Sequence, residues 1–338
     1  MQKRKIRVLI VDDSMLFRET LKKHLNNDQG IEVVDTAMDA YDARDKILKY
    51  EPDVMVLDVQ MPRMDGIEFL KRLMPQYPIP VVVMSSLDNV VFDALRYGAV
   101  EFVNKPSTET SLEEMVKELV IKIKIASIAN VSNLKKPPKT SEDSDEAQTA
   151  GRHKIIAIGA STGGTEALYQ VIQRLPGDLP PIVVVQHMPP VFTKMYAQRL
   201  NGLCKPVVKE AENGESVKVG VVYIAPGGVQ MALIRQQNKT VIRLYKGEKR
   251  NGHCPSCDVL FDSVAELYGK HALGVILTGM GQDGAYGLLN MRQRGANTLG
   301  QDEKTSVVYG MPKVAFEIGA VEYQLPVQEI STKLLKIL

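Results

Sequence analysis

The sequence predicts an α/β protein made of two doubly wound parallel-sheet domains: an amino-terminal (βα)5 unit and a carboxy-terminal Rossmann-like unit with an appended antiparallel hairpin. Three observations predict it. The chain has 338 residues, and at ~150 residues per domain that is room for two cores. Both halves alternate short, nearly continuous apolar runs with helical patterns, the pattern of parallel strands covered on both faces. Between the halves, residues 132–154 hold only Leu134, Ala147 and Ala150 as apolar side chains.

In the first half the β-rich runs are 6–11, 31–34, 54–57, 79–84 and 99–103. The last helical pattern places Leu112, Met115, Val116, Leu119, Val120 and Ile123 on one face, with Ser111 and Glu114 spaced as a capping box. Such a stripe is what a sheet-covering helix needs, so core packing is expected there and not a membrane face. The joint follows at 127–153, with Pro137 and Pro138 amid mixed charge. It buries too little to offset the entropy of ordering it. The expected domains are therefore 1–126 and 154–338.

The second half resumes with runs at 155–158, 182–185, 221–224 and 275–277, and residues 231–244 read as two strands flanking a turn at 236–239. Lys+Arg 42 against Asp+Glu 40 gives a formal charge of +2, a balance that argues against nucleic-acid partners and membrane attraction. No run reaches the ~18 apolar residues of a bilayer span, so direct membrane insertion is not expected and a cytoplasmic location is. Three cysteines, Cys204, Cys254 and Cys257, fit free thiols in a reducing compartment.

Chemistry-bearing residues gather at carboxyl ends of the predicted strands, where open parallel sheets bind ligands. Asp12 and Asp13 follow the first strand, Asp58 ends the third, Ser85 and Ser86 end the fourth, and Lys105 follows the fifth. Three converging carboxylates call for a hard divalent cation such as Mg²⁺ and permit phosphoryl transfer onto one of them. Asp58 is the expected acceptor, Asp12 and Asp13 the metal ligands, Lys105 a phosphate partner and Ser85 a switch hydroxyl. Taken singly, each has a plainer role: Asp13 or Ser14 can cap a helix, and Lys105 can be a solvated charge.

VLIVDDSMLFR, LDVQMPRMDGIEFL and Lys105-Pro106 resemble the receiver domain of two-component response regulators. The resemblance implies phosphorylation at Asp58, Mg²⁺ held by Asp12, Asp13 and Asp58, and a switch formed by Ser85, Lys105 and the mobile aromatic Phe102. The family often has Thr where Ser85 stands.

In the second half, IIAIGASTGG puts Ser161 after a strand and before a helix, within Gly159-x-Ser161-x-Gly163. This is a nucleophile-elbow spacing, with the following N–H groups, Thr162 among them, facing an oxyanion. Gly-rich turns also cradle phosphates, so nucleotide binding competes with this reading, although neither G-x-G-x-x-G nor a P-loop Lys is present. Of five histidines only His187 ends a strand on the serine's edge, and Asp283 follows another strand there. Plainer roles are a hydrogen-bonded strand-end histidine and a helix cap. His253, Cys254 and Cys257 form H-C-x-x-C, but no fourth ligand is evident, and ordinary thiols are expected. A DNA-binding output domain is disfavoured by the lack of a basic recognition helix.

GASTGG, QHMPPVFT, APGG, PSCDVLFDSVA, LTGMGQDGAYGL and GQDEKTSVVYGMPKVA resemble the catalytic domain of the chemotaxis protein-glutamate methylesterase (CheB) family. The resemblance implies hydrolysis of glutamate methyl esters, and deamidation of specific glutamines, on methyl-accepting chemotaxis receptors. It implies a Ser161, His187, Asp283 triad, the Met280 backbone N–H at the oxyanion, and no cofactor for ester hydrolysis. It also implies a chemotaxis histidine kinase as phosphodonor, with the unphosphorylated receiver packed over the catalytic face. The family often has Arg where Cys254 stands, so no substrate contact is carried to that position.

Overall fold

In the computed structural model, which describes residues 4–86, 90–106, 111–131 and 154–338, the chain divides into two units, Met1–Pro137 and Pro138–Leu338. The first unit alternates β1 (Ile6–Val11), α1 (Met15–Leu25), β2 (Ile31–Ala37), α2 (Ala40–Tyr50), β3 (Val54–Asp58), α3 (Gly66–Leu73), β4 (Val81–Ser85), α4 (Val91–Arg96), β5 (Glu101–Asn104) and α5 (Leu112–Ala126). Its strands form one parallel sheet in the order β2-β1-β3-β4-β5. Every residue of β3 and β4 is buried, which accounts for their unbroken apolar runs. β4 starts two residues later than the apolar run, since Pro80 has no N–H to give a ladder.

Side-chain caps set the helix starts. Ser14, Asp39 and Asp65 each accept an N–H from the first turn that follows, and the Ser111–Glu114 capping box is complete. The buried face of α5 is Met115, Val116, Leu119, Ile123 and Ala126; Leu112 and Val120 are half-buried at its margin. Of the expected joint at 127–153, residues 132–153 lie outside the described residues, while Val131 is still buried.

The second unit contains β6 (Ile155–Ala160), α6 (Gly164–Ile172), β7 (Ile182–Gln186), α7 (Phe192–Asn201), β8 (Val207–Glu210), β9 (Val221–Ile224), β10 (Gln230–Gln236), β11 (Lys239–Tyr245), α8 (Cys257–Tyr268), β12 (Ala272–Ile276), α9 (Ala285–Gln293), β13 (Asn297–Gln301), α10 (Met311–Glu317), β14 (Tyr323–Leu325) and α11 (Val327–Ile337). Seven strands make a parallel sheet ordered β14-β13-β12-β6-β7-β9-β8. β10 and β11 form a separate antiparallel pair, and Val241 of β11 also bridges to Ser216. That hairpin lies on α8: Met231, Leu233 and Ile242 share a core with Leu260, Phe261 and Val264, and the Leu233 N–H donates to Ser263 Oγ at 3.0 Å. Among the described residues no helix is long and apolar enough to cross a membrane.

Strand order reverses between β1 and β3 in the first sheet and between β6 and β12 in the second. At such a reversal the two flanking connections leave in opposite directions and open a crevice at the strands' carboxyl ends.

Candidate functional sites at the two sheet edges

At the first crevice, β1 delivers Asp12 and Asp13 and β3 delivers Asp58. Asp12 and Asp58 are buried and Asp13 is exposed. Oxygens of all three lie within 4.8 Å of one another. Lys105, reaching in from the end of β5, places Nζ 2.8 Å from Asp12 Oδ2 and 2.8 Å from Asp58 Oδ2. Burial raises the Asp58 carboxyl above its ordinary range, and Asp12's charge adds to this; hydrogen bonds from Lys105 and the Gln60 N–H pull the other way. For Lys105, burial alone would lower the ammonium's pKa, but hydrogen bonds to Asp12 and Asp58 outweigh it and the net shift is upward.

The backbone fixes these groups in place. The Ser14 N–H donates to Asp12 Oδ1 at 2.9 Å while Ser14 itself caps α1, and Arg18 Nη1 donates to Asp12 O at 2.6 Å. The Lys105 N–H donates to Ser85 O at 3.0 Å. Of the two serines, Ser85 is the buried last residue of β4 and Ser86 is exposed. Phe102 is buried on β5, with Lys122 over its ring. Gly66 is required at the start of α3, because a Cβ there would run into the Asp58 carbonyl oxygen. Three carboxylates around one point are a hard oxygen donor set, and the residues present fit Mg²⁺.

At the second crevice, Ser161 leaves β6 and His187 leaves the neighbouring β7. Their backbones are tied together: the His187 N–H donates to Ala160 O at 3.1 Å, and Gln186 Nε2 donates to both Ser161 O (2.9 Å) and His187 O (3.1 Å). The Ser161 N–H donates to Thr278 O beyond β12 at 3.0 Å. Gly163 takes φ 75° at the cap of α6, so it serves the turn. Gly159 does not: it lies inside β6, and a Cβ there would meet Cys257 Sγ at 2.8 Å. Its role is close packing rather than the turn chemistry that the G-x-S-x-G spacing predicts.

His187 Nε2 lies 2.8 Å from Asp283 Oδ2, and Nδ1 is a buried nitrogen with no hydrogen-bond partner among the described residues. The ring is thus turned opposite to triads in which the carboxylate holds Nδ1, and Nδ1 is the atom left for a proton. Asp283 does not cap α9, whose cap is Gly284. It sits on the amino end of α8. Oδ2 also accepts the Cys257 N–H (2.6 Å), while Oδ1 accepts Ser256 Oγ (2.6 Å), Asn251 Nδ2 (3.0 Å) and the Asp258 N–H (3.4 Å). Burial would raise this carboxyl, but hydrogen bonding and charge from His187, then Ser256 and Asn251, hold it well below the usual carboxylate range. It is an anion throughout neutral pH.

Met280 follows β12 with its side chain partly exposed, and Thr162 is buried beside Ser161. Thr278 Oγ1 donates to Thr162 O at 3.0 Å. Gly279 brings the strand ends into contact, since a Cβ there would lie 2.6 Å from Ser161 Cβ. Four neighbours were not foreseen from sequence. The His253 ring stacks on His187, centroids 3.7 Å apart and planes 4° from parallel. Ser256 and Asn251 serve Asp283. Cys257 Sγ lies 3.7 Å from His187 Nε2. All four come from residues 251–257, and nothing in their spacing signals an approach to β7 about 65 residues earlier.

Fold and site together define an α/β domain of hydrolase type joined to a response-regulator receiver. Similarity to known proteins narrows that class. Residues 156–334 match the family described as CheB methylesterase and residues 8–117 the response regulator receiver domain. A relative from Syntrophomonas wolfei, named protein-glutamate methylesterase/protein-glutamine glutaminase 2, is 55% identical over 100% of this chain and 99% of its own. One from Syntrophotalea carbinolica, with the same name unnumbered, is 48% identical over 99% and 98%. The crystal structure of the Thermotoga maritima CheB methylesterase catalytic domain is 45% identical, covers 55% of this chain and 99% of that one, and superposes with a TM-score of 0.54. The chain belongs to the CheB methylesterase family of response-regulator hydrolases.

Proposed function

We propose that this protein hydrolyses glutamate methyl esters, and deamidates specific glutamines, on methyl-accepting chemotaxis receptors, and that phosphorylation of Asp58 by a chemotaxis histidine kinase raises that activity in sensory adaptation. The observation that carries the esterase reading is the His187 ring. Its Nε2 is bound to an ionised Asp283, its Nδ1 has no hydrogen-bond partner among the described residues, and His187 follows β7, the strand paired with the β6 that leads into Ser161.

In this reading Ser161 Oγ attacks the ester carbonyl as its proton passes to His187 Nδ1, and Asp283 stabilises the imidazolium. The carbonyl oxygen becomes an oxyanion facing the Met280 N–H and the Thr162 N–H, each such donor contributing about 2.7 to 4 kcal/mol. Nδ1–H then protonates the departing methoxide, giving methanol and an acyl-Ser161. Water attacks the acyl group by the same steps, leaving the glutamate carboxylate; with an amide substrate the leaving group is ammonia.

In the receiver, an Asp58 carboxylate oxygen attacks the phosphorus of a phosphohistidine, and the P–N bond breaks to free the kinase's imidazole. Mg²⁺ held by Asp12, Asp13 and Asp58 supplies charge neutralisation when bound. Lys105 already lies against Asp58 and offers its charge to a phosphoryl oxygen. Ser85 donates its hydroxyl to the same group, and Phe102 packs with the loop it moves. We assign residues 1–126 to the receiver, 127–153 to a polar joint and 154–338 to the esterase, in the cytoplasm.

The test is demethylation of receptor-containing membranes by wild type, Ser161→Ala and Asp58→Asn, with and without a small phosphodonor. Wild type is stimulated, Ser161→Ala is inert and Asp58→Asn keeps only unstimulated activity. Turnover by Ser161→Ala would end the triad reading, and full stimulation of Asp58→Asn would end the switch.

A further inference from the structure

Cys257 is a buried nucleophilic side chain at the second crevice that the proposed chemistry leaves unused. Its Sγ is fully buried and lies 3.7 Å from His187 Nε2, which is itself 2.8 Å from Asp283 Oδ2. One donor atom from each of the three lies within 4.8 Å of the others. A nitrogen, a thiol sulfur and a carboxylate oxygen around one point form a ligand set for a borderline-soft cation, unlike the all-oxygen cluster at Asp58. From this juxtaposition we propose that His187, Cys257 and Asp283 form an inhibitory site for a thiophilic divalent cation of the zinc type.

The distances are close to what such an ion needs. Tetrahedral zinc with ordinary bond lengths sets N···S near ~3.5 Å and N···O near ~3.3 Å. The His187–Cys257 spacing already matches, and His187 and Asp283 part by about half an ångström. The cation takes the place of the proton that Nε2 shares with Asp283. That proton moves to Nδ1, leaving the imidazole neutral, and Cys257 gives its thiol proton to solvent. Two positive charges then meet one thiolate and one carboxylate, so the buried site is neutral. Inhibition follows from the tautomer: once Nδ1 carries a proton it cannot accept one from Ser161. With three protein ligands the ion occupies an already folded site and does not hold the domain together. Neighbouring Cys254 is not part of the cluster, so the H-C-x-x-C spacing is incidental to it.

The consequence for activity rests on the esterase reading, but binding does not, and the two are measured separately. Cadmium is titrated into the full chain and its ultraviolet thiolate charge-transfer band is followed. Zinc inhibition of ester hydrolysis is measured for each protein against its own metal-free rate. The proposal expects a band saturating at one equivalent in wild type and Cys254→Ser and missing from Cys257→Ala and the isosteric Cys257→Ser. It expects chelator-reversible inhibition whose half-point rises at least about tenfold in the Cys257 variants. A band absent from wild type or surviving without Cys257, or zinc sensitivity unchanged by either Cys257 variant, overturns it. A protein with the band but no ester hydrolysis supports the cation site and defeats the esterase reading.

Discussion

Replacing Asp283 by Asn tests the proposed mechanism at the point where the structure is most explicit. All five groups that touch this carboxylate are donors, and an amide can accept on only one side. If its NH2 faces His187, the imidazole must accept there and carry its proton on Nδ1, which removes the base. If it faces the Ser256 side, the hydroxyl can turn to accept, but the full charge beside His187 is still gone. At the observed 2.8 Å and an effective dielectric constant of about 20, an imidazolium–carboxylate attraction amounts to about 6 kcal/mol. At 1.36 kcal/mol per decade that is a loss of about four decades in kcat. The assay is release of methanol from methylated receptor membranes, with circular dichroism to show that the variant is folded. Activity of Asp283→Asn within about tenfold of wild type would refute the charge-stabilised imidazolium and the role of Nδ1 with it.

The same variant predicts a pH signature. A carboxyl held below its unfolded value contributes stability above the ordinary carboxylate range and loses it as pH falls toward its folded value. The stability gap between wild type and Asp283→Asn is therefore full at neutral pH and closes under acid, as denaturant titrations at several pH values would show; a gap widening in acid contradicts it. Gly279→Ala pushes a methyl against Ser161 Cβ and Met311 Sδ, and should cut turnover on the order of a hundredfold, a loss that unimpaired kinetics would disprove. Mg²⁺ at about ten times its Kd should stabilise the receiver by about 1.4 kcal/mol. Thermal melts should lose that shift in Asp13→Asn if the oxygen cluster is the site. His253→Phe keeps a ring against His187 and His253→Ala does not; the second alone should slow kcat, by up to about tenfold, and equal rates would leave the stack without a part.

Which features were legible in the sequence follows from what each element buries. β1 and β9 coincide with their apolar runs because both are interior strands whose side chains meet core on either face. β8, β13 and β14 were not foreseen. β14 and β8 are short edge strands with polar residues. β13 reads Asn-Thr-Leu-Gly-Gln, yet is nearly all buried, because its polar groups find partners that only the fold supplies: Thr298 Oγ1 donates to Ala320 O at 2.6 Å, and Gln301 Oε1 accepts the Thr278 N–H at 2.8 Å. The residues assigned to the triad could be singled out because strand ends of a parallel sheet share an edge. The partners of Asp283 could not, since they reach it from a loop and a helix start whose approach is set by tertiary packing of α8 against the sheet.

β6 is paired in parallel with β12 on one side and β7 on the other, and the chain enters it directly at Lys154, whose N–H is already held by His271 O at 2.8 Å. Tension applied there along the axis of β6 loads both ladders in shear, all bonds together, whereas an edge strand such as β14 would peel bond by bond. The seat beneath Ser161 is braced against a pull along that axis, which single-molecule stretching from residue 154 would register as a high rupture force.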